Sequence, residues 1–257
     1  MSTRRTGSTG AVKITDVAAA AGVAPMTVSR VLNTPERVSV ETRERVQATI
    51  DRLGYVPNLI AGGLSSRRSR MIAAIVPTIA SPMFSDPVQA FTDTLDHAGY
   101  RVILALSNYN DAGEEALIRA MLTRRPDGLL LTGAQHTPRV QRLLRDAHIP
   151  VVEIWDATEQ PVDMLVGFDH AEVGAAVADF FAAQGHTHFA SLAAGDPRGL
   201  ARRAGFVSQV ARHGGTVIEA AALRAPSGIA DGRHGLRELA PALGPRTALL
   251  CSSDLVA

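Results

Sequence analysis

Residues 14–33 read Ile-Thr-Asp-Val-Ala-Ala-Ala-Ala-Gly-Val-Ala-Pro-Met-Thr-Val-Ser-Arg-Val-Leu-Asn, and this stretch decides how the N-terminal part of the chain folds. Asp16 through Ala21 is a run of good helix formers. Gly22 supplies the left-handed residue that stops a helix. Pro25 suits a helical first turn, where its missing N–H costs nothing. A second helix then runs over Thr27–Leu32. Two helices crossing at a tight turn need a small residue at the crossing, a glycine in the turn and apolar residues on the buried face of helix two. Ala18, Gly22, Val28 and Val31 meet those needs in order, with Val17, Val23 and Leu32 completing the apolar face. The other side of helix two carries Met26, Thr27, Ser29, Arg30 and Asn33, residue types that can reach base edges and phosphates in a major groove.

Working outward, Ser39 is a good N-cap. Val46, Ile50 and Leu53 then fall on one face of a third helix that Gly54 ends. Residues 13–56 thus form a helix-turn-helix domain behind a polar tail at 1–12. Charge separates this head from the rest. Residues 1–70 hold 11 Lys+Arg and 5 Asp+Glu, a net of +6, and residues 71–257 hold 15 and 20, a net of −5. A basic head on an acidic body puts the polyanion-binding surface on the head. The hydrophobic fraction of 46% and charged fraction of 20% fit a globular protein with a sizeable core. Neither a stretch long enough to cross a membrane nor a secretory h-region is read, so a cytoplasmic location is expected. The single cysteine, Cys251, excludes a disulfide framework or a cysteine metal cluster, and is expected to be a buried small hydrophobe.

Residues 57–70 have linker composition, with Pro57, Gly62, Gly63 and the basic Arg67, Arg68 and Arg70. Beyond it, residues 71–257 alternate apolar runs with amphipathic stretches. Strands are expected at 71–76, 101–106, 128–132, 150–154, 164–168, 188–193, 216–222 and 247–252. Helices are expected at 87–97, 114–124, 138–147, 172–184 and 199–213. Such alternation implies a parallel sheet with right-handed crossovers. Ligands of such sheets bind beyond the carboxyl ends of the strands. The residues there include Ser81, Phe84, Asn108, Tyr109, Trp155, Asp156, Asp169 and the loop 196–203. Hydroxyls, amides, carboxylates, arginines and aromatics together suit a polyol or sugar acid. The histidines show no metal-ligand spacing, so no metal and no cofactor are expected. No nucleophile elbow, Walker loop or dinucleotide fingerprint is present, and nothing calls for an enzyme.

The runs Ile-Thr-Asp-Val-Ala (14–18), Ala-Gly-Val-Ala (21–24), Thr-Val-Ser-Arg-Val-Leu-Asn (27–33), Val-Ser-Val-Glu-Thr-Arg-Glu-Arg-Val (38–46) and Leu-Gly-Tyr-Val-Pro-Asn (53–58) resemble the head of the lac-repressor (LacI/GalR) family. The resemblance extends along the body. It implies a small all-α helix-turn-helix head and an α/β periplasmic-binding-protein-like core with parallel sheets. The implied activity is that of a sequence-specific regulator, a repressor, that binds double-stranded operator DNA as a homodimer under control of a small effector. Pro25, Met26, Thr27, Ser29, Arg30, Asn33, Arg37 and Asn58 would then meet DNA. Leu64 would be a wedge in the minor groove. A local helix bond is an equal alternative role for Ser29, and a featureless linker is the alternative at Leu64. Gly62 and Gly63 make that segment a poor helix, at about 1 kcal/mol each. Arg202 matches the effector-binding arginine of the family. Asp254 matches its Asn-Asp signature, although Ser253 stands where Asn is usual. With Ser81, Phe84, Asn108 and Asp169 these make up the expected effector site.

Thr132-Gly133 with His136-Thr137-Pro138-Arg139, Ile149 to Glu153 and Val166 to Asp169 look most like the gluconate-utilisation repressors, which implies gluconate or a related sugar acid. The family pattern continues past Ala257, so an incomplete second lobe and weakened dimerisation are expected. The rival readings are a sugar-binding protein without a regulatory role and a DNA binder that ignores ligand.

Overall fold

The computed structural model describes residues 12–56 and 68–257, apart from the side chains of Asp111 and Ala112. The chain divides into two compact units, Met1–Ser69 and Arg70–Ala257.

In the first unit, α1 spans Ile14–Ala21, α2 Pro25–Asn33 and α3 Val40–Leu53, with a 3₁₀ turn at Pro35–Arg37. The backbone N–H of Lys13 donates to the Asp16 carboxylate at 2.8 Å, which ties down the start of α1. Gly22 ends α1 at φ 66, the left-handed conformation that Cβ-bearing residues resist. Pro25 is the first residue of α2. The Ser39 hydroxyl accepts from Thr42 N–H at the start of α3. Val17, Ala18, Ala21, Val28, Val31, Val46 and Ile50 form one buried cluster. Each helix is too short to be stable alone, so this shared core holds all three.

The second unit has two lobes. In the first, β1 (Met71–Val76), β2 (Arg101–Leu106), β3 (Gly128–Thr132), β4 (Val151–Ile154) and β5 (Met164–Val166) form a sheet of order β2-β1-β3-β4-β5. All its pairings are parallel, with Met71 opposite Arg101 and Ile72 opposite Gly128. Central β1 and β3 are continuous apolar runs because helices cover both faces. Edge strand β2 mixes exposed and half-buried residues and buries none fully. The crossovers carry α4 (Pro82–His97), α5 (Asp111–Leu122) and α6 (Pro138–Asp146). Ala73, Ile75, Ile118, Leu129, Leu131, Val140, Leu144 and Val151 make the core of this lobe.

In the second lobe, β6 (His188–Leu192), β7 (Val217–Glu219) and β8 (Thr247–Cys251) pair in parallel in the order β7-β6-β8. Helices α7 (His170–Ala183) and α8 (Pro197–Arg212) pack closely together, and α9 spans Ile229–Leu239. The α7–α8 contact depends on two glycines. A Cβ on Gly174 would lie 1.9 Å from the Arg202 carbonyl oxygen, and one on Gly205 would lie 2.0 Å from that of Ala171. This approach brings the first turn of α7 against Arg202.

The structure departs from the sequence-based expectations at several element ends. Helix α4 starts at Pro82 rather than Pro87, so Pro87 lies inside it. Pro82 holds the first-turn position, and the bond that Pro87 cannot donate is lost one turn further on. Strand β5 stops at Val166, and Phe168 leaves the sheet. Strand β7 is three residues long. Helix α9 was not expected, because Gly232 and Gly235 lower its helix propensity. Cys251 is half-buried beside a cleft, not sealed in the core. Among the described residues, no helix is long and apolar enough to cross a membrane.

Candidate functional site

Two surfaces carry the candidate residues. On the head, α2 buries Val28 and Val31 and turns its other side outward. Met26 is 62% exposed, and Arg30, Asn33 and Arg37 are exposed. The first turn of α2 has no acidic residue, so its positive dipole end faces solvent without an opposing charge of its own. Asn33 Nδ2 donates to the Ser29 carbonyl at 2.9 Å and reaches its hydroxyl at 3.3 Å. Ser29 therefore has a local partner, the Asn33 amide, rather than a carbonyl one turn back. Pro25 and Thr27 lie in the same first turn. Asn58 and Leu64 lie outside the described residues.

In the second unit, a cleft of about 720 Å³ opens between the lobes at the carboxyl ends of the strands. Its walls include Ser81, Phe84, Tyr109, Trp155 and Phe168 from the first lobe and crossover, and Arg198, Arg202, Ser252 and Asp254 from the second. Four of the six residues expected for the effector, Ser81, Phe84, Arg202 and Asp254, thus come together. Asn108 and Asp169 do not line it. Asn108 sits in a left-handed turn (φ 52) with its N–H donating to the Pro77 carbonyl. The Asp169 carboxylate caps α7 instead, accepting from Ala171 and Glu172 N–H at 2.6 and 3.2 Å.

An aromatic chain forms one wall. Phe84 and Trp155 meet edge-on at 6.2 Å between centroids, Trp155 and Phe168 at 5.7 Å, and Phe168 and the His170 ring at 4.8 Å. Tyr109 and Trp155 have positive φ, 57 and 65, although both are bulky. Strained backbone of this kind persists only where surroundings hold it, and it clusters at functional sites. Burial pushes the Tyr109 hydroxyl above its usual range, opposed by Arg198.

The arginines come from α8. Arg198 and Arg202 are one helical turn apart and so share a face. The Arg198 guanidinium lies 5.5 Å from the Phe84 ring centroid and 3.9 Å from Asp196 Oδ1, an oxygen already accepting from Arg198 and Gly199 N–H. Arg202 Nε is buried with no hydrogen-bond partner, while its Nη1 lies 2.8 Å from His170 Nδ1. His170, 3% exposed, also has its Nε2 2.9 Å from the Trp155 carbonyl oxygen. A carbonyl only accepts and a guanidinium only donates, so both partners call for the neutral Nε2–H tautomer. Burial pulls the His170 pKa below its ordinary value, and the positive charges of Arg202 and Arg198 act with it.

A smaller chamber of about 200 Å³ adjoins the cleft and shares Tyr109, Asp196 and Arg198 with it. The buried hydroxyl of Thr132, a lining residue, has no hydrogen-bond partner. At its edge His136 Nδ1 lies 2.8 Å from Glu114, and Nε2 lies 3.1 Å from Glu153. These are ion-pair contacts not aligned as hydrogen bonds. Burial alone would lower the His136 pKa, but the two carboxylates outweigh it and raise it. Glu153, 1% exposed, also accepts from Val162 N–H at 2.7 Å. Among the described residues, no three or more His, Cys, Asp or Glu side chains are grouped to hold a metal ion. The sequence reading placed Arg198 only within the 196–203 loop and Thr132, His136 and Glu153 only within family-like runs, with no role given to any of them. Arg198 had a signal, its one-turn spacing from Arg202.

A helix-turn-helix unit followed by a two-lobed parallel-sheet unit with an interlobe cleft is the architecture of a DNA-binding transcription regulator. Residues 13–58 match the lacI family of bacterial regulatory proteins, and residues 69–257 match the periplasmic binding proteins and sugar-binding domain of the LacI family. The chain belongs to the LacI family of transcription regulators, which are not enzymes. It is 33% identical over 240 residues to the HTH-type transcriptional regulator GntR of Escherichia coli K12, covering 93% of this chain and 72% of that protein. It is 34% identical over 204 residues to a GntR of Pseudomonas aeruginosa, covering 79% of this chain and 60% of that one. A LacI-family regulator from Silicibacter pomeroyi superposes with a TM-score of 0.83 at 32% identity, over 95% of this chain and 74% of that one.

Proposed function

We propose that this regulator is a repressor released from operator DNA by a sugar acid, with gluconate the first candidate. The observation that carries the effector class is the pair Arg198 and Arg202 on one face of α8 at the cleft. Two guanidiniums face a cleft whose carboxylates are Asp196, with its Oδ1 engaged by backbone N–H groups, and Asp254, and Arg202 Nε has no partner, which favours a ligand that brings its own carboxylate. Ser81, Ser252 and Asp254 supply partners for hydroxyls, and the Phe84–Trp155–Phe168 wall offers faces to the C–H side of a sugar chain. The resemblance of residues 132–139, 149–153 and 166–169 to gluconate-utilisation repressors selects gluconate among sugar acids.

On DNA, Met26 reads by apolar contact, for example with a thymine methyl. Thr27, Ser29, Arg30, Asn33 and Arg37 reach bases and phosphates, with Pro25 opening the recognition helix. The 13–56 head, the 57–70 hinge and the 71–257 core are read as the working parts. A homodimer places two heads on a palindromic site. Effector binding shifts the equilibrium between two arrangements of the lobes. The test selects duplexes bound by the chain from a random pool, then follows fluorescence anisotropy with gluconate and with glucose. Release by gluconate alone is expected. Release by glucose alone overturns the acid reading, and equal weak binding to selected and scrambled duplexes overturns the regulator reading for this chain.

A further inference from the structure

His170 occupies the point where the chain passes from the first lobe to the second. Residue 166 ends β5 in the first sheet, and His170 opens α7, which packs on α8. One nitrogen of its ring meets the Trp155 carbonyl of the first lobe, and the other meets Arg202 of the second. We propose that His170 is a positioning residue for effector recognition, clasping Arg202 to the Trp155 backbone so that the guanidinium is held toward the cleft.

Three observations support this. The clasp uses Arg202 Nη1 and leaves Nε, which has no partner in the structure. Because the guanidinium is a rigid planar fork, fixing Nη1 leaves the opposite edge, Nε with Nη2, as the one that can take a carboxylate with two parallel bonds, and the buried, partnerless Nε is the donor such a bond would satisfy. The same His170 bond holds Trp155 in its left-handed conformation at the wall of the cleft. Finally, the ring is locked from every side: Phe168 stacks edge-on at 4.8 Å, Arg202 and Arg198 face it from α8, and Asp156 is the acidic group nearby. Protonating Nδ1 would put a donor against a donor and a cation against two cations. The clasp is therefore closed only while the ring is neutral, which makes effector affinity fall on the acid side of the ordinary histidine range.

The inference rests on the effector reading of the cleft, and the test separates the two. Gluconate affinity of the full chain is measured by calorimetry from about pH 5 to about pH 8, where a carboxylate ligand stays ionised. The same series is run on His170→Ala and His170→Gln, and ¹⁵N-histidine spectra of the ligand-free chain are recorded in parallel. At neutral pH, His170→Ala is expected to bind about tenfold more weakly, the scale of one hydrogen bond to a charged group. His170→Gln, whose amide can donate to Trp155 and accept from Arg202, is expected to recover most of the affinity with a flat pH profile. Affinity and pH profile unchanged in both variants overturn the proposal. If the wild-type chain ignores gluconate throughout, the effector reading fails and the spectra still decide the clasp. A neutral Nε2–H ring whose Nδ1 signal moves in Arg202→Met supports it, and a charged ring at neutral pH or an Nδ1–H tautomer overturns it.

Discussion

The two buried histidines of the core domain sit in opposite electrostatic settings. His136 lies in the first lobe between the carboxylates of Glu114 and Glu153. His170 lies at the crossover between a carbonyl and a guanidinium. Burial disfavours the cation at both sites, yet His136 is pushed toward the charged form and His170 toward the neutral one. The difference teaches that neighbours can override burial, as the two carboxylates do at His136, or act with it, as the arginines do at His170. It also separates two tasks. The His136 trio joins α5 to β4 by charge and bears on stability. The His170 clasp aims an arginine and bears on ligand recognition.

The sharpest way to break this comparison is Glu153→Ala. Removing this carboxylate leaves His136 with Glu114 alone and strands the Val162 N–H, and the core domain should lose about 3 kcal/mol in urea unfolding. A loss near zero would mean that the His136 trio does not bear on stability and that the contrast in task fails. Next comes Arg202→Lys, which keeps the charge and removes the planar fork. Gluconate affinity should fall by about 2 kcal/mol, roughly 30-fold, with the urea midpoint little changed. Smaller effects are expected at the caps flanking the histidines. Thr137 accepts from Val140 N–H beside His136, and Asp169 caps the helix that His170 opens. Substituting either with alanine should cost about 1 kcal/mol of stability. If Asp169→Ala instead abolished gluconate binding at unchanged stability, Asp169 would be a ligand contact rather than a cap.

The finest test is the pH dependence of stability, because the two histidines should slope in opposite directions. The folded-state pKa of His136 is raised above its ordinary 6.5, so its contribution is full below that value and lost as pH rises through the folded pKa. The folded-state pKa of His170 is lowered, so its contribution is full above 6.5 and lost as pH falls toward the folded pKa. Urea midpoints at about pH 5.5 and about pH 8 should therefore move in opposite senses when His136→Gln and His170→Gln are each compared with wild type. Slopes of the same sign would dissolve the contrast.

Much of the architecture was legible in the chain because its signals are local. The Ala18–Gly22–Val28–Val31 spacing, the Pro25 and Ser39 helix starts and the apolar runs at 71–76, 101–106 and 128–132 each declare an element within a few residues. Helix α9 and the early start of α4 were not legible. Glycines in one and a proline in the other carry the wrong local signal, and tertiary packing overrides it. At the cleft, Ser81, Phe84, Arg202 and Asp254 were found from strand ends and family resemblance. Asn108 and Asp169 share the same strand-end position, but their groups serve a turn and a cap.

Periodicity, turn chemistry and charge distribution, all short-range properties of the chain, were enough to establish a helix-turn-helix head, a parallel α/β core and a division between a basic and an acidic region. Which side chains meet across that core was decided by the fold alone. Glu114, His136 and Glu153 come from a helix, a loop and a strand. Trp155, His170 and Arg202 come from both lobes and the crossover between them. Their distances depend on the parallel crossovers and on the close α7–α8 contact at Gly174 and Gly205. A histidine carries no mark in sequence of the burial and the partner it will find, and these together determine its charge and its role.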